Sequence, residues 1–449
     1  MNYRDIAGKI FKQGKEKLND MEVYIENNKS IDISLFDGEI DGYSIAESGG
    51  LSLRGTTNGS MGYSYTEKVD ESSISFLIDE VFENAKFIDS DVKEKILQPA
   101  ENYKQVDNFN KNLGEHPIEK KIEFIKSLEK EALLLDDRIT SVQKTAYQEF
   151  DVGNYIINTK GTDLSNRVNG ALVYISVIAK DGEDTKTGMG FRILKDFSGL
   201  DYREIAKEAV DEAIAKLGAT PIKSGEYPVL IRNYTFASLL DAFSSIFSAD
   251  NVQKDLSLLK GKIGKQVASG KVTLVDNPHL KYGFRSSGFD DEGSKTIYKK
   301  IIDKGTLTNY LYNSKTAKKD GKESTGNASR KSYKSSIDIS GTNCYLEAGK
   351  ETLQTIISEI EYGLYIMELE GLHAGLNAVS GDFSLSANGF LIVDGEICRP
   401  VNGIVVSGNF FDLLKDIDKI GNDLVYSSPF SLNFGSPTVK IKNLSVSGD

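Results

Sequence analysis

One order of segments occurs twice in the first half of this 449-residue chain, and it restricts the fold more than any single motif does. In the first run, alternating segments at residues 32–40, 50–54 and 60–65 read as paired strands. Asp37-Gly38 and Asn58-Gly59 suit tight hairpin turns, because both central positions accept positive φ. An amphipathic start (Ile6, Ile10, Phe11) precedes these strands. A helix follows them, with Ile74, Leu77, Ile78, Val81, Phe82 and Ala85 at the helical period. In the second run a helix carrying Ile118, Ile122, Ile125 and Leu128 leads into strands around 145–158 and 172–179. Gly188-Met-Gly-Phe-Arg-Ile193 then precedes a helix with Ile205, Ala209, Val210, Ala213 and Leu217. Ser60-Met-Gly-Tyr63 thus corresponds to Gly188-Met-Gly-Phe191. So short a match supports shared strand-and-helix logic, with duplication and chance similarity both left open.

Residues 98–117 are polar, turn-rich and bracketed by Pro99 and Pro117, which predicts a linker. A second Pro- and Gly-rich stretch, residues 218–228, precedes a part made mostly of short strands with glycine turns. Leu353, Ile356, Ile357 and Ile360 predict one helix there. Phe410, Phe411, Leu414, Ile417 and Ile420 predict another, closed by Gly421 as a C-cap. Strands and helices do not alternate strictly, so the expected class is α+β rather than a doubly wound parallel sheet. The expected units are 1–98 and 112–218, both of strands and helices, and a strand-rich C-terminal domain over 222–449.

A net charge of −12 argues against a general phosphate-binding surface, and hence against direct nucleic-acid binding. Cys344 and Cys398 are too few for a disulfide framework and fit a reducing compartment. The start has no apolar signal-like region, and no later apolar run approaches the length of a membrane span. The expectation is a cytoplasmic protein with no membrane contact.

Several short elements recur in a fixed order along the last part of the chain. They are Gly261-Lys-Ile-Gly-Lys-Gln-Val-Ala-Ser269, Asp290-Asp-Glu-Gly293, Thr325-Gly-Asn327 with Arg330 and Ser332-Tyr333, and Glu361-Tyr-Gly-Leu-Tyr365. Gly371-Leu-His-Ala-Gly-Leu-Asn377, Val379-Ser-Gly-Asp-Phe383, Pro400-Val401, Gly421-Asn-Asp423 and Gly435-Ser-Pro-Thr438 follow. In this order they resemble the TldD/TldE (PmbA) metallopeptidase family. The run 371–384 resembles its PmbA/TldE-type members more than its TldD members.

The TldD members carry a His-Glu-x-x-x-His motif at the place of residues 235–250. Aligned on the flanking 261–269 stretch, the motif falls on Leu240, Asp241 and Ser245. Leu240 offers no donor atom, Ser245 is a poor zinc ligand, and Asp241 is a carboxylate without a metal-bound water to deprotonate. Residues five apart on an ideal helix also differ by about 140° in azimuth, so such a pair of ligands demands local distortion. The resemblance implies a third ligand, a cysteine near the C-terminus. The matching stretch, residues 426–435, contains none.

No other constellation stands out. His116, His279 and His373 are the only histidines, and no two lie at ligand spacing. His373 sits in a Gly-bracketed loop that could present it to a cavity; a histidine bonded to nearby backbone is the favoured reading. Asp290, Asp291 and Glu292 crowd one turn, where neighbours seldom make an acid/base pair, so a solvated hairpin turn is expected. Lys260-Gly-Lys-Ile-Gly-Lys265 lacks the Walker spacing. Residues 313–336 gather Lys315, Lys318, Lys319, Lys322, Arg330, Lys331 and Lys334. They read either as a mobile loop at a substrate entrance or partner contact, or as a solvated, partly disordered connection.

The resemblance implies a non-catalytic subunit of a zinc metallopeptidase complex. A TldD-like partner would bring the zinc, this chain would hold no metal or cofactor, and the dimer would enclose a chamber. A homodimer without a catalytic partner is the other arrangement. Small unfolded peptides or proteins, such as peptide-antibiotic precursors and antitoxins, would be the substrates. Asp290, Asp291, Thr325, Asn327, Arg330, His373, Asn422 and Asp423 are then the candidate cavity or substrate contacts. Two other readings stay open: a gyrase-modulator-type binding protein, and an enzyme with an unrecognised site of its own.

Overall fold

The two N-terminal runs build one sheet in a computed structural model describing residues 3–68, 70–88, 93–281, 283–428 and 431–449. Helix α1 (Tyr3–Gly14) precedes β1 (Asp20–Phe36), β2 (Glu39–Thr57) and β3 (Ser60–Thr66), and α2 (Glu71–Phe87) completes the first run. Helices α3 (Lys111–Glu115) and α4 (Ile118–Leu135) open the second run. It continues with β4 (Ile139–Asn158), β5 (Asp163–Asp181), β6 (Asp184–Leu194) and α5 (Tyr202–Ala215). The antiparallel order is β3-β2-β1-β4-β5-β6, so the runs meet along β1 and β4, from Glu22 opposite Asn158 to Leu35 opposite Thr145. Asp37 (φ 51°) with Gly38 (φ 76°), and Asn58 (φ 51°) with Gly59 (φ 87°), form the turns that their sequences favour.

The two Met-Gly-aromatic stretches occupy equivalent places, on the outermost strands β3 and β6. A Cβ on Gly62 would lie 1.9 Å from the Val81 carbonyl oxygen of α2, and one on Gly190 would lie 2.1 Å from that of Ile205 in α5. Glycine is what lets each helix backbone close onto its strand. Behind these contacts α2 buries Ile74, Leu77 and Val81, and α5 buries Ile205, Ala209 and Ala213.

Residues 98–117 form a largely exposed connection pinned to the rest of the chain at a few points. Leu113 is fully buried, Asn108 Nδ2 donates to the Ser286 carbonyl at 3.2 Å, and the Tyr103 hydroxyl donates to that of Gly293 at 2.9 Å. The C-terminal part supplies the partners that water would otherwise provide.

That part runs β7 (Gly225–Ile231), α6 (Asn233–Ala242), a 3-10 helix (Ser244–Phe247), α7 (Ala249–Gln253), β8 (Leu274–Asp276), β9 (Lys299–Asp303) and β10 (Thr306–Leu307). Next come α8 (Ser314–Lys319), β11 (Ala328–Ser329), β12 (Asp338–Ile339), β13 (Cys344–Leu346), α9 (Leu353–Ser358) and β14 (Tyr362–Glu370). It ends with β15 (Asp382–Val393), β16 (Glu396–Asn409), α10 (Phe410–Lys415), β17 (Ile417–Ile420), β18 (Phe434–Gly435) and β19 (Val439–Ser447). One sheet has the order β16-β15-β14-β7-β19-β17; β16 also pairs with β19, so five of its strands close on themselves. The other is β10-β9-β8-β13-β18. Both contribute to one large core, into which α6 inserts Phe236, Leu239 and Leu240, with Phe243 just past its end. The architecture is α+β with a strand-rich C-terminal domain. The single helix expected over 410–420 is instead α10 followed by β17. Asp416 ends the helix, and Ile417 then pairs with Ile441, so Gly421 follows a strand and caps no helix. Among the described residues no helix is long and apolar enough to cross a membrane.

Candidate functional site

The helix at the place of the family's metal motif does break. α6 stops at Ala242, Phe243 leaves helical geometry (φ −94°, ψ 0°), and a 3-10 turn follows. The break sends the three aligned positions to three environments. Leu240 is packed in the core, Asp241 is half-buried, and Ser245 is exposed. Asp241 accepts a hydrogen bond from Ser431. Burial raises its carboxyl above the usual range, and Ser431 and the Arg285 guanidinium draw it only partly back. Stretch 426–435 therefore reaches α6, as the resemblance implies, although Pro429 and Phe430 lie outside the described residues. A core leucine, an exposed serine and a carboxylate facing a guanidinium do not fit a zinc ion. Among the described residues no three His, Cys, Asp or Glu side chains converge to hold a metal elsewhere.

A cavity of about 410 Å³ lies between the N-terminal sheet and the C-terminal loops, and Leu432 and Asn433 from that same stretch line it. Its floor is built by strand register. Glu26 on β1 stands opposite Asn154 on β4, which stands opposite Asn166 on β5, giving one polar row. The next row on that face is Asn28, Val152 and Val168. Over the floor stand Phe284, Arg285, Phe289 and Asp291.

The acidic turn 290–293 belongs to this wall. It is a turn, with Gly293 at φ 78°, but a buried one, because the N-terminal sheet covers it. Asp290 accepts backbone N–H bonds from Glu292 (3.0 Å), Ser294 (2.9 Å) and Ala328 (3.1 Å). Burial, and then the neighbouring Glu292, nevertheless push its carboxyl well above the ordinary range. Glu292 accepts from the Ser314 N–H and hydroxyl, both at 2.9 Å, and from Arg54 at 3.3 Å. Arg54 also forks onto Glu22 at 2.7 and 3.1 Å, and Arg330 reaches Glu22 at 3.3 Å. Burial alone would lower the Arg54 pKa; Glu22 and Glu292 outweigh it and raise it. This buried network ties β1 and β2 to the C-terminal domain.

Asp290, Asp291, Asn327 and Arg330 thus converge on the cavity. Thr325 stands behind it, buried, donating to Asn327 Oδ1 at 2.7 Å. Asn327 in turn donates to the buried Asp276 at 2.8 Å. His373 and Asn422 are exposed and line no part of it. Asp423 is a structural acceptor, taking the Thr438 N–H at 3.0 Å and the Thr438 hydroxyl at 2.7 Å. The basic stretch 313–336 is not structureless, although Lys315, Lys318, Lys319, Lys322, Lys331 and Lys334 are exposed. It holds α8 and β11, buries Asn313, Thr316 and Arg330, and lays Lys315 on Glu94 at 2.8 Å. The sequence reading missed Tyr24, Glu26, Asn154, Asn166 and Arg285. The one available signal was Glu26-Asn-Asn28, three residues that sit poorly in a strand unless a site employs them.

The chain matches profiles described as PmbA/TldA metallopeptidase domain 1 (residues 21–85), central domain (111–217) and C-terminal domain (224–448). The metalloprotease PmbA of Escherichia coli is 25% identical, over 90% of this chain and 87% of its own length. A solved Thermotoga maritima protein, assigned as a candidate modulator of a DNA gyrase, is 30% identical. It superposes with a TM-score of 0.91, covering 99% of this chain and 100% of its own. TldE from Thermococcus kodakarensis, 24% identical, shares the fold with a TM-score of 0.90 over 99% of this chain and 100% of its own. With all three profiles matched in order along its length, the chain belongs to the PmbA/TldD metallopeptidase family.

Proposed function

We propose that this chain is the non-catalytic, PmbA/TldE-type subunit of a cytoplasmic zinc metallopeptidase complex acting on small unfolded peptides or proteins. The observation that carries the reading is the donor set at the broken helix: Leu240 in the core, Asp241 facing Arg285, Ser245 in solvent. Zinc is then the contribution of a TldD-like partner, and this chain forms part of the wall that admits flexible substrates and excludes folded ones. The cavity and the buried ionic network behind it support a wall that keeps its shape. The test is cleavage of an unstructured peptide by this chain, by a TldD-like chain and by their mixture, each with and without a zinc chelator. Cleavage only by the mixture, lost on chelation, is expected. Chelator-sensitive cleavage by this chain alone would overturn the proposal.

A further inference from the structure

We propose that the cavity over the Glu26–Asn154–Asn166 row is a binding site for an extended peptide segment bearing a lysine or arginine side chain. The inference rests on the peptide-handling role just proposed and adds a substrate preference to it. Three independent features meet in the cavity. The first is a row of amide groups. Asn154 and Asn166 lie side by side across β4 and β5, and Asn28 stands one row on. Amide side chains both donate and accept, as peptide groups do, so such a row can hold a main chain without reading its sequence. The buried Asn28 Oδ1 has no hydrogen-bond partner among the described residues.

The second feature is an apolar wall. Phe150 on the floor and Phe284 above it approach to 5.9 Å between ring centroids, and Val152 and Val168 continue the floor between the polar groups. That is space for the methylene stem of a long side chain or for an apolar neighbour.

The third is a pair of part-buried carboxylates. Glu26 lies in the floor and Asp291 in the opposite wall. Arg285, Arg330 and Lys331 line the same cavity, and Arg285 acts on both carboxylates and Arg330 on Asp291. Arg330 is buried, paired with Glu22, and stacked over the Tyr24 ring at 4.7 Å; Asp291 takes its backbone N–H at 2.7 Å. Arg285 is exposed. Glu26 is surrounded by Tyr24, Asp291, Arg285 and the Tyr333 N–H, and Asp291 by Arg330, Arg285 and Glu22. Burial first, and for Glu26 then Asp291, still leaves both carboxyls above their ordinary range. A cationic group entering between them would relieve both burdens.

The test is fluorescence anisotropy with the full isolated chain and three labelled unstructured peptides. One carries a central lysine, one carries acetyl-lysine at that position, and one carries glutamate. The lysine peptide is expected to bind about tenfold tighter than the acetylated one. Its advantage should shrink as mild acid protonates Glu26 and Asp291. Glu26→Gln and Asp291→Asn should each reduce the preference, and together they should abolish it. Should Asp291→Asn fail to melt cooperatively, Glu26→Gln carries the charge test. Asn154→Leu, expected to weaken the lysine and acetyl-lysine peptides alike, then tests the amide row. Equal binding of lysine and acetyl-lysine peptides, preference for glutamate, no binding, or a preference untouched by Glu26→Gln would each overturn the site. Cleavage by the mixture with a TldD-like chain is scored separately. Cleavage without lysine selection sinks the cavity assignment alone; lysine selection without cleavage by the mixture sinks the subunit assignment alone.

Discussion

Arg54 is held by carboxylates from two parts of the chain, Glu22 in β1 and Glu292 in the C-terminal wall. Removing it strands two buried anions, and breaking a buried pair this way costs more than the pair contributes. Arg54→Ala is therefore expected to lose about 3–5 kcal/mol in urea unfolding. Lys195 offers a pH test. Its ammonium donates to the Asn108 carbonyl at 2.8 Å and lies 4.9 Å from the Phe284 ring centre. Burial brings its pKa down to about 8 from 10.5, against a smaller opposing effect of Asp107. Between those values the unfolded chain binds more protons than the native one, so stability rises with pH across that window. Below it both states carry the charge, and the cost of burying the ammonium is fully present. Lys195→Met should flatten the rise in melting temperature over that range; an unchanged slope would assign it to another group.

At the scale of elements, the break between α6 and the 3-10 turn decides what the motif position can become. Leu240→His, Asp241→Glu and Ser245→His would restore the family's residue types, but 240 points into the core and 245 into solvent. The triple variant should take up no stoichiometric zinc in equilibrium dialysis and should lose more than about 2 kcal/mol of stability, because a polar ring replaces a core leucine. Elements with one covered face were legible in the sequence. The helical stripes of α2 and α5 and both Gly-containing turns appear where periodicity and turn chemistry put them. β1 was half-legible. Residues 21–25 are buried on both faces and do not alternate, so only its distal half showed the strand period. Residues 410–420 mislead for the opposite reason: an apolar helical period spans the junction of a six-residue helix and a strand. Of the site, the acidic turn and the Thr325–Arg330 segment were visible as short motifs. Their burial was not, because the strands that cover them, β1, β2, β4 and β5, are far away in sequence.

At the scale of the molecule, the β1–β4 ladder makes the N-terminal runs one body, and the 98–117 connection is pinned to the C-terminal part. Trypsin cutting at the exposed Lys104 or Lys111 should leave two fragments that elute together in gel filtration and part only in denaturant. Separation under native conditions would show that the ladder does not hold them. The same seam runs beneath the cavity, with Glu26 and Asn28 laid down by one run and Asn154 and Asn166 by the other. A slip of a single residue between β1 and β4 would turn Glu26 and Asn28 to the far side of the sheet and leave the amides facing the wrong neighbours. What the cavity offers a ligand is thus a reading of strand alignment: a chain that has mispaired its two halves presents no carboxylate there, and misfolding and loss of recognition become the same event.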